Sequence, residues 1–307
     1  MARYEKDFPL YSAELQLNLR QHPEGGDVQA PCRVDWVNQQ ARTQRDLMVL
    51  VHGFNNHRAE AQEAYFGFRR RQKNLIEPQH GSTLEAMLGD AFWPGDANFA
   101  GPLDMVDFAV YPATIEKAGK TAGALSAYIL GRSDVFNLYF VGHSMGCRVI
   151  LETIALLKAD QRFHARIRKV SLLAAAVQTA AVLPDGALAG AFLAAEQVQV
   201  LHSTADMVLA LAFPAGETLA GDGFFPSAIG RHGDVPRNPG QVEVKSVDGA
   251  GHGDYWGWRP TAESGVSGRL ISEFLRIGTI SQELSQRTIA ERPGAERRGI
   301  DSRQTGG

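Results

Sequence analysis

Hydrophobic positions change period along this chain, and each change marks a new element. Apolar and polar residues alternate over 11–19, Gly25-Gly26-Asp27 supplies a turn, and alternation resumes over 32–37, which predicts two antiparallel strands. Leu47-Met-Val-Leu-Val51 is wholly apolar, as expected of a central strand covered on both faces. The spacing then becomes helical over Arg58–Leu75, with Ala61, Ala64, Tyr65 and Phe68 on one side. Arg69-Arg70-Arg71 near the end of that run suits a solvated helix C-terminus. Residues 86–93 read as a strand closing at Pro94-Gly95-Asp96. Beyond it, helices are predicted over 113–130, Met145–Ala159 and 262–277, and strands over 138–141, 170–175, 198–202 and 242–247. Strands alternating with helices predict a mostly parallel α/β sheet, helices on both faces and right-handed crossovers.

Neither an internal repeat nor a linker divides the chain, so residues 1–280 are expected to form a single domain. Residues 216–240 are rich in Gly, Pro and polar side chains and read as an irregular insertion above the strand ends. Residues 285–307 lack an apolar face and are expected to be a disordered tail.

Composition narrows the function classes. A hydrophobic fraction of 44% over 307 residues supports a sizeable core. With 31 basic and 34 acidic residues the net charge is −3, which offers no electrostatic case for nucleic acid or an anionic membrane as partner. The two cysteines, Cys32 and Cys147, do not make a disulfide framework. Charges among the first ten residues break any secretory leader, and no long apolar run follows, so the expected location is cytoplasmic. No metal-ligand cluster or nucleotide motif is present, and no cofactor is expected.

The chemistry concentrates at Gly142-His143-Ser144-Met145-Gly146, which sits where a predicted strand runs into a predicted helix. A G-x-S-x-G turn of that kind holds a serine exposed and aims a helix N-terminus at it. A Gly-rich turn with an incidental serine is the competing reading of the five residues alone. A second strand ends in His52-Gly53-Phe54, where a loop backbone amide can face the same serine. Phe54 and Met145 are the two candidate oxyanion N–H donors. His52 and Gly53 could instead simply close a buried strand.

An activated serine needs a base and an acid that orients it, in the chain order serine, acid, histidine. His252 lies in a tight Gly-His-Gly loop after the last predicted strand, with His232 as second choice. His143 is expected to face away into the helix–sheet packing, and His202 to be a core group. Asp206 follows the strand ending near His202, and its competing role is a helix N-cap over the same oxygens. Asp185, Asp222, Asp234, Asp248 and Asp254 are rivals, the last two close enough to His252 to shape its loop. Trp93, Phe225 and Trp256 are candidates to line an apolar acyl pocket.

The G-H-S-M-G elbow and the V-H-G-F-N-N segment resemble the α/β-hydrolase superfamily. They are similar to a bacterial group of uncharacterised serine-esterase-like proteins. The resemblance implies an eight-stranded sheet with its second strand antiparallel and a Ser–His–Asp hydrolase. Roughly 20 residues separate Ala175 from Val198, too few for the folded cap some relatives carry when each helix needs about 8–20. The expected activity is a serine carboxylesterase acting on a small-molecule ester or thioester through an acyl-serine. An acyltransferase with the same site, and a non-catalytic binding protein keeping the fold, are the alternatives. Oligomeric state is not legible here.

Overall fold

The computed structural model describes residues 15–22, 25–36, 45–54, 56–75, 87–95, 105–221, 223–256 and 260–275. Eight strands form one sheet: β1 (Leu15–His22), β2 (Gly25–Trp36), β3 (Asp46–Val51), β4 (Leu88–Phe92), β5 (Asn137–His143), β6 (Arg166–Leu173), β7 (Gln197–His202) and β8 (Val242–Ser246). Their spatial order is β2-β1-β4-β3-β5-β6-β7-β8. Only β2 runs antiparallel, pairing with β1 at the sheet edge, and every other neighbouring pair is parallel. This is the mostly parallel eight-stranded architecture expected of the sequence, with the second strand reversed.

The main helices are α1 (Arg58–Leu75), α2 (Met105–Leu130), α3 (Met145–Ala159), α4 (Phe213–Ala220) and α5 (Ala262–Leu275). Parallel neighbours cannot be joined by tight hairpins, so these helices carry the crossovers that cover the sheet. All six residues of β3 and all five of β4 are buried, which explains why β3 lacks alternation. α3 buries Met145, Cys147, Val149, Ile150, Leu151, Ile154 and Leu157 at helical spacing. Each fully buried aliphatic chain of this size contributes about 1.5–3 kcal/mol, so the helix behind the elbow is held firmly against the sheet.

Three elements differ from the sequence reading. α2 begins at Met105, ahead of the start at 113 read from the sequence, and carries Pro112 inside it. β6 begins at Arg166 because Arg166 and Arg168 pair with Glu196, at 2.6 and 2.9 Å, while Ile167 turns inward. Within 216–240, α4 continues to Ala220 and Ile229–His232 makes a further helical turn. α4 holds because its only acid, Glu217, is buried and accepts hydrogen bonds from Gln178 at 2.5 Å and Arg148 at 3.4 Å. Between β6 and β7 lie only two single helical turns, Thr179–Val182 and Ala189–Phe192. The expected tail at 285–307 lies outside the described residues. No helix among the described residues is long and apolar enough to cross a membrane.

Candidate active site

Three segments meet beyond the C-terminal ends of parallel strands, where such sheets leave a crevice. β5 delivers Ser144 one residue past its end, β7 delivers Asp206 four residues on, and β8 delivers His252 six residues on. The structure brings these side chains together. His252 Nε2 lies 2.9 Å from Ser144 Oγ, and His252 Nδ1 lies 2.7 Å from Asp206 Oδ2. A carboxylate only accepts, so Nδ1 carries the proton and Nε2 is left to accept from the serine hydroxyl. His252 is partly open to solvent, while the Asp206 side chain is fully buried.

Ser144 has φ 53° and ψ −126°, a conformation L residues rarely hold. It is locked there by its own backbone. The Ser144 N–H donates to the Leu173 carbonyl at 3.0 Å, and the Ser144 carbonyl accepts from Cys147 and Ala176 N–H groups at 3.0 and 3.2 Å. Gly146 and Gly53 serve close approach. A Cβ on Gly146 would lie 2.4 Å from the His52 carbonyl oxygen, and one on Gly53 would lie 3.0 Å from Ser144 Cβ. The end of β3 therefore presses directly on the elbow. Met145 is the first residue of α3, so its N–H has no acceptor within the helix.

Asp206 divides its roles between its two oxygens. Oδ2 faces His252, while Oδ1 accepts the Leu209 N–H at 3.0 Å and caps the helical segment that leads into α4. The two sequence readings of this residue coexist. The Asp206 carbonyl is gripped separately by Arg231 Nη1 at 2.9 Å, a contact with no sequence signal. Burial raises the carboxyl's pKa, but the His252 hydrogen bond and charge and the Leu209 N–H outweigh it, leaving it below the ordinary carboxylate value. Of the rival acids, Asp254 accepts from Gly251 N–H at 2.9 Å and from Thr261 Oγ1 at 3.2 Å, and Asp248 accepts from Ser246 Oγ. Both shape the loop around His252.

His52 organises the other side. Its Nε2 accepts the Trp93 N–H at 3.2 Å, so its Nδ1 bears the proton and donates to the Gly53 carbonyl at 2.8 Å. Its backbone N–H donates to Tyr65 Oη at 2.9 Å, and its carbonyl accepts Trp93 Nε1 at 2.8 Å. Burial, helped by the charge of Arg20, drives the imidazole pKa down to about 3. Because the peptide unit is planar and trans, fixing the Gly53 carbonyl on His52 points the Phe54 N–H the opposite way.

His143 corrects the expectation that it faces away. Its Nε2 donates to the His252 carbonyl at 2.7 Å and its ring centre is 4.8 Å from that of His252. Desolvation, reinforced by His252, lowers its pKa to about 3. The candidate pocket aromatics separate. Trp93 and Trp256 are 0% and 3% exposed and pack behind the site, Trp93 stacking on His52 and Trp256 meeting Tyr65, Phe68 and His143. The faces of both rings are thus spent on protein rings. Phe225 is 61% exposed, with φ 47° and its N–H bonded to Thr218 Oγ1 at 2.8 Å. His232 lies in the turn beside Gly233, and His202 ends β7 half-buried. Among the described residues no group of three His, Cys, Asp or Glu side chains could hold a metal ion.

A family model described as "Alpha/beta hydrolase of unknown function (DUF900)" matches residues 32–213, which include Ser144 and Asp206 but stop short of His252. No curated protein matches the chain. Among solved structures, a predicted CIB-like hydrolase from Thermoplasma acidophilum is 16% identical, covering 80% of this chain and 91% of its own, with a TM-score of 0.43. Est1E from Butyrivibrio proteoclasticus is 12% identical, covering 80% and 90%, with a TM-score of 0.39. Carboxyl esterase 2 from the fungus Tuber melanosporum is 12% identical, covering 90% and 88%, with a TM-score of 0.43.

Proposed function

Taking as premise that the chain belongs to the α/β-hydrolase family of unknown function whose model spans residues 32–213, we propose that it is a serine hydrolase of carboxylic esters or thioesters. The observation that carries this reading is the continuous relay from Asp206 Oδ2 through His252 to Ser144 Oγ, at 2.7 and 2.9 Å. Ser144 Oγ attacks the acyl carbonyl as His252 Nε2 takes its proton, and a tetrahedral oxyanion forms between the Phe54 and Met145 N–H groups. His252 then protonates the departing alkoxide or thiolate, leaving an acyl-serine. Water attacks that ester with His252 again as base, the acid leaves, and the serine recovers its proton. Asp206 stays ionised throughout and stabilises the transient imidazolium. Phe225, exposed at the end of the segment after α4, is the candidate contact for an apolar acyl chain.

A fluorophosphonate probe followed by peptide mass spectrometry tests this directly. A single adduct on Ser144, together with turnover of p-nitrophenyl acetate that Ser144→Ala and His252→Ala abolish, is the expected result. A folded protein that takes no label and cleaves no activated ester would reverse it, and would favour a binding protein that keeps the fold. An added alcohol or amine that captures the acyl group in place of water would move the assignment to acyl transfer.

A further inference from the structure

His143 occupies the position between the first glycine of the elbow and the nucleophile, and the acyl-serine mechanism above gives it nothing to do. Its surroundings are specific all the same. It is the last residue of β5 and directly precedes Ser144 in the chain. Its Nε2–H is spent on one acceptor, the backbone carbonyl of His252, at 2.7 Å. Since a carbonyl cannot donate, this bond also fixes the tautomer, leaving Nδ1 as a lone-pair acceptor. That atom is buried and makes no hydrogen bond among the described residues. It faces the backbone of the β3 loop closely enough that a Cβ on Gly53 would come within 3.0 Å of it. The ring is thus wedged between the loop that carries the base and the loop that carries the Phe54 N–H.

We propose that His143 is a positioning residue, tying the backbone of the base to the backbone of the nucleophile and setting the Gly53 turn beside both. The inference rests on the acyl-serine reading of the same site. His252 is otherwise held through its ring, by Asp206 on one nitrogen and Ser144 on the other, and its loop is braced by Asp254 on Gly251. A ring fixed at two nitrogens can still pivot about its Cα if the backbone drifts. The His143 bond removes that freedom at the peptide itself, and does so from the residue next to Ser144, so drift of the 248–254 loop relative to the elbow is resisted. A leucine or phenylalanine would fill the same space without holding the carbonyl. The chemistry asked of residue 143 is one donor at the distance of Nε2.

That requirement defines the test. In His143→Gln the amide nitrogen reaches about as far as Nε2; in His143→Asn it falls short; in His143→Leu the donor is lost and the bulk kept. Full-length wild type, these variants and Ser144→Ala are compared by steady-state hydrolysis of p-nitrophenyl acetate, the rate of fluorophosphonate labelling and thermal unfolding. Misplacement of a reacting group by about 1 Å can cost about 100-fold, so Asn and Leu are expected to lower kcat and the labelling rate about 10- to 100-fold with KM within about threefold. Gln is expected to stay within about threefold of wild type in both. Asn keeping the wild-type kcat, Gln losing as much as Asn, or a loss confined to KM would overturn the proposal. Should Leu fail to fold, the Gln and Asn pair decides. A wild type that is folded yet neither labelled nor active defeats the acyl-serine reading itself, an outcome distinct from an active wild type indifferent to residue 143.

Discussion

Asp206 uses its two carboxylate oxygens on different elements, Oδ2 on His252 and Oδ1 on the Leu209 N–H. Substitution can separate them. Asp206→Asn keeps an oxygen for the cap but presents the wrong tautomer choice to His252, so kcat is expected to fall about 10³- to 10⁴-fold with little change in unfolding free energy. Asp206→Ala loses the same rate and about 1 kcal/mol more stability as the cap disappears. Rate and denaturation measured on both proteins check this; equal stabilities would show that the cap contributes nothing. The candidate role of Asp206 was legible in the sequence because an acid a few residues past a parallel strand is placed to reach a neighbouring loop. What the sequence posed as a choice between orienter and cap is no choice, since a carboxylate has enough lone pairs for both. Arg231 on the Asp206 carbonyl left no trace in the sequence, because a long side chain reaching backbone has no spacing rule.

At the scale of elements, the elbow is assembled by contact between β3, β5, β6 and α3. Ser144 carries the unusual dihedrals itself, and Gly146 is there to let the His52 carbonyl approach its Cα. Gly146→Ala would put a methyl 2.4 Å from that oxygen and 2.5 Å from the Val51 carbonyl oxygen. Overpacking against backbone of this kind costs about 1–3 kcal/mol, so a lowered melting temperature and a slower fluorophosphonate reaction are expected together. A variant as stable and as reactive as wild type would mean that the β3 end can retreat. The G-x-S-x-G spacing exposed this turn in the sequence, while the role of each glycine depends on which strand lies beside it. The aromatics illustrate the same limit from the other side. Trp93 and Trp256 looked available for a ligand, yet they join His52, Tyr65 and His143 in a packed array behind the site.

Over the whole molecule, burial of two imidazoles makes stability depend on pH. His52 and His143 are held neutral, with pKa lowered from 6.5 to about 3 by desolvation first. Below pH 6.5 the unfolded chain binds protons at these positions and the folded chain does not. Stability therefore falls as pH drops from about 6.5 to about 3, by up to about 1.4 kcal/mol per pH unit for each group. His143→Gln removes one of the two, so relative to wild type it should gain about 1.6 kcal/mol between pH 6.5 and pH 5 in urea unfolding. An offset independent of pH would show that His143 is protonated in the folded protein. The sheet around these groups was readable in advance. Alternation at the first two strands, the apolar run at β3 and the strand–helix rhythm after it are local consequences of which faces are covered, so they are written in local order. The candidate nucleophile and its candidate partners by chain order are local too. The direction of the His143 ring, the division of labour in Asp206, the burial of Trp93 and Trp256 and the place of β2 at the edge are not, because each depends on which distant segments the sheet brings side by side. Contacts between residues more than a hundred positions apart, such as His143 with His252, obey geometry that no spacing along the chain encodes.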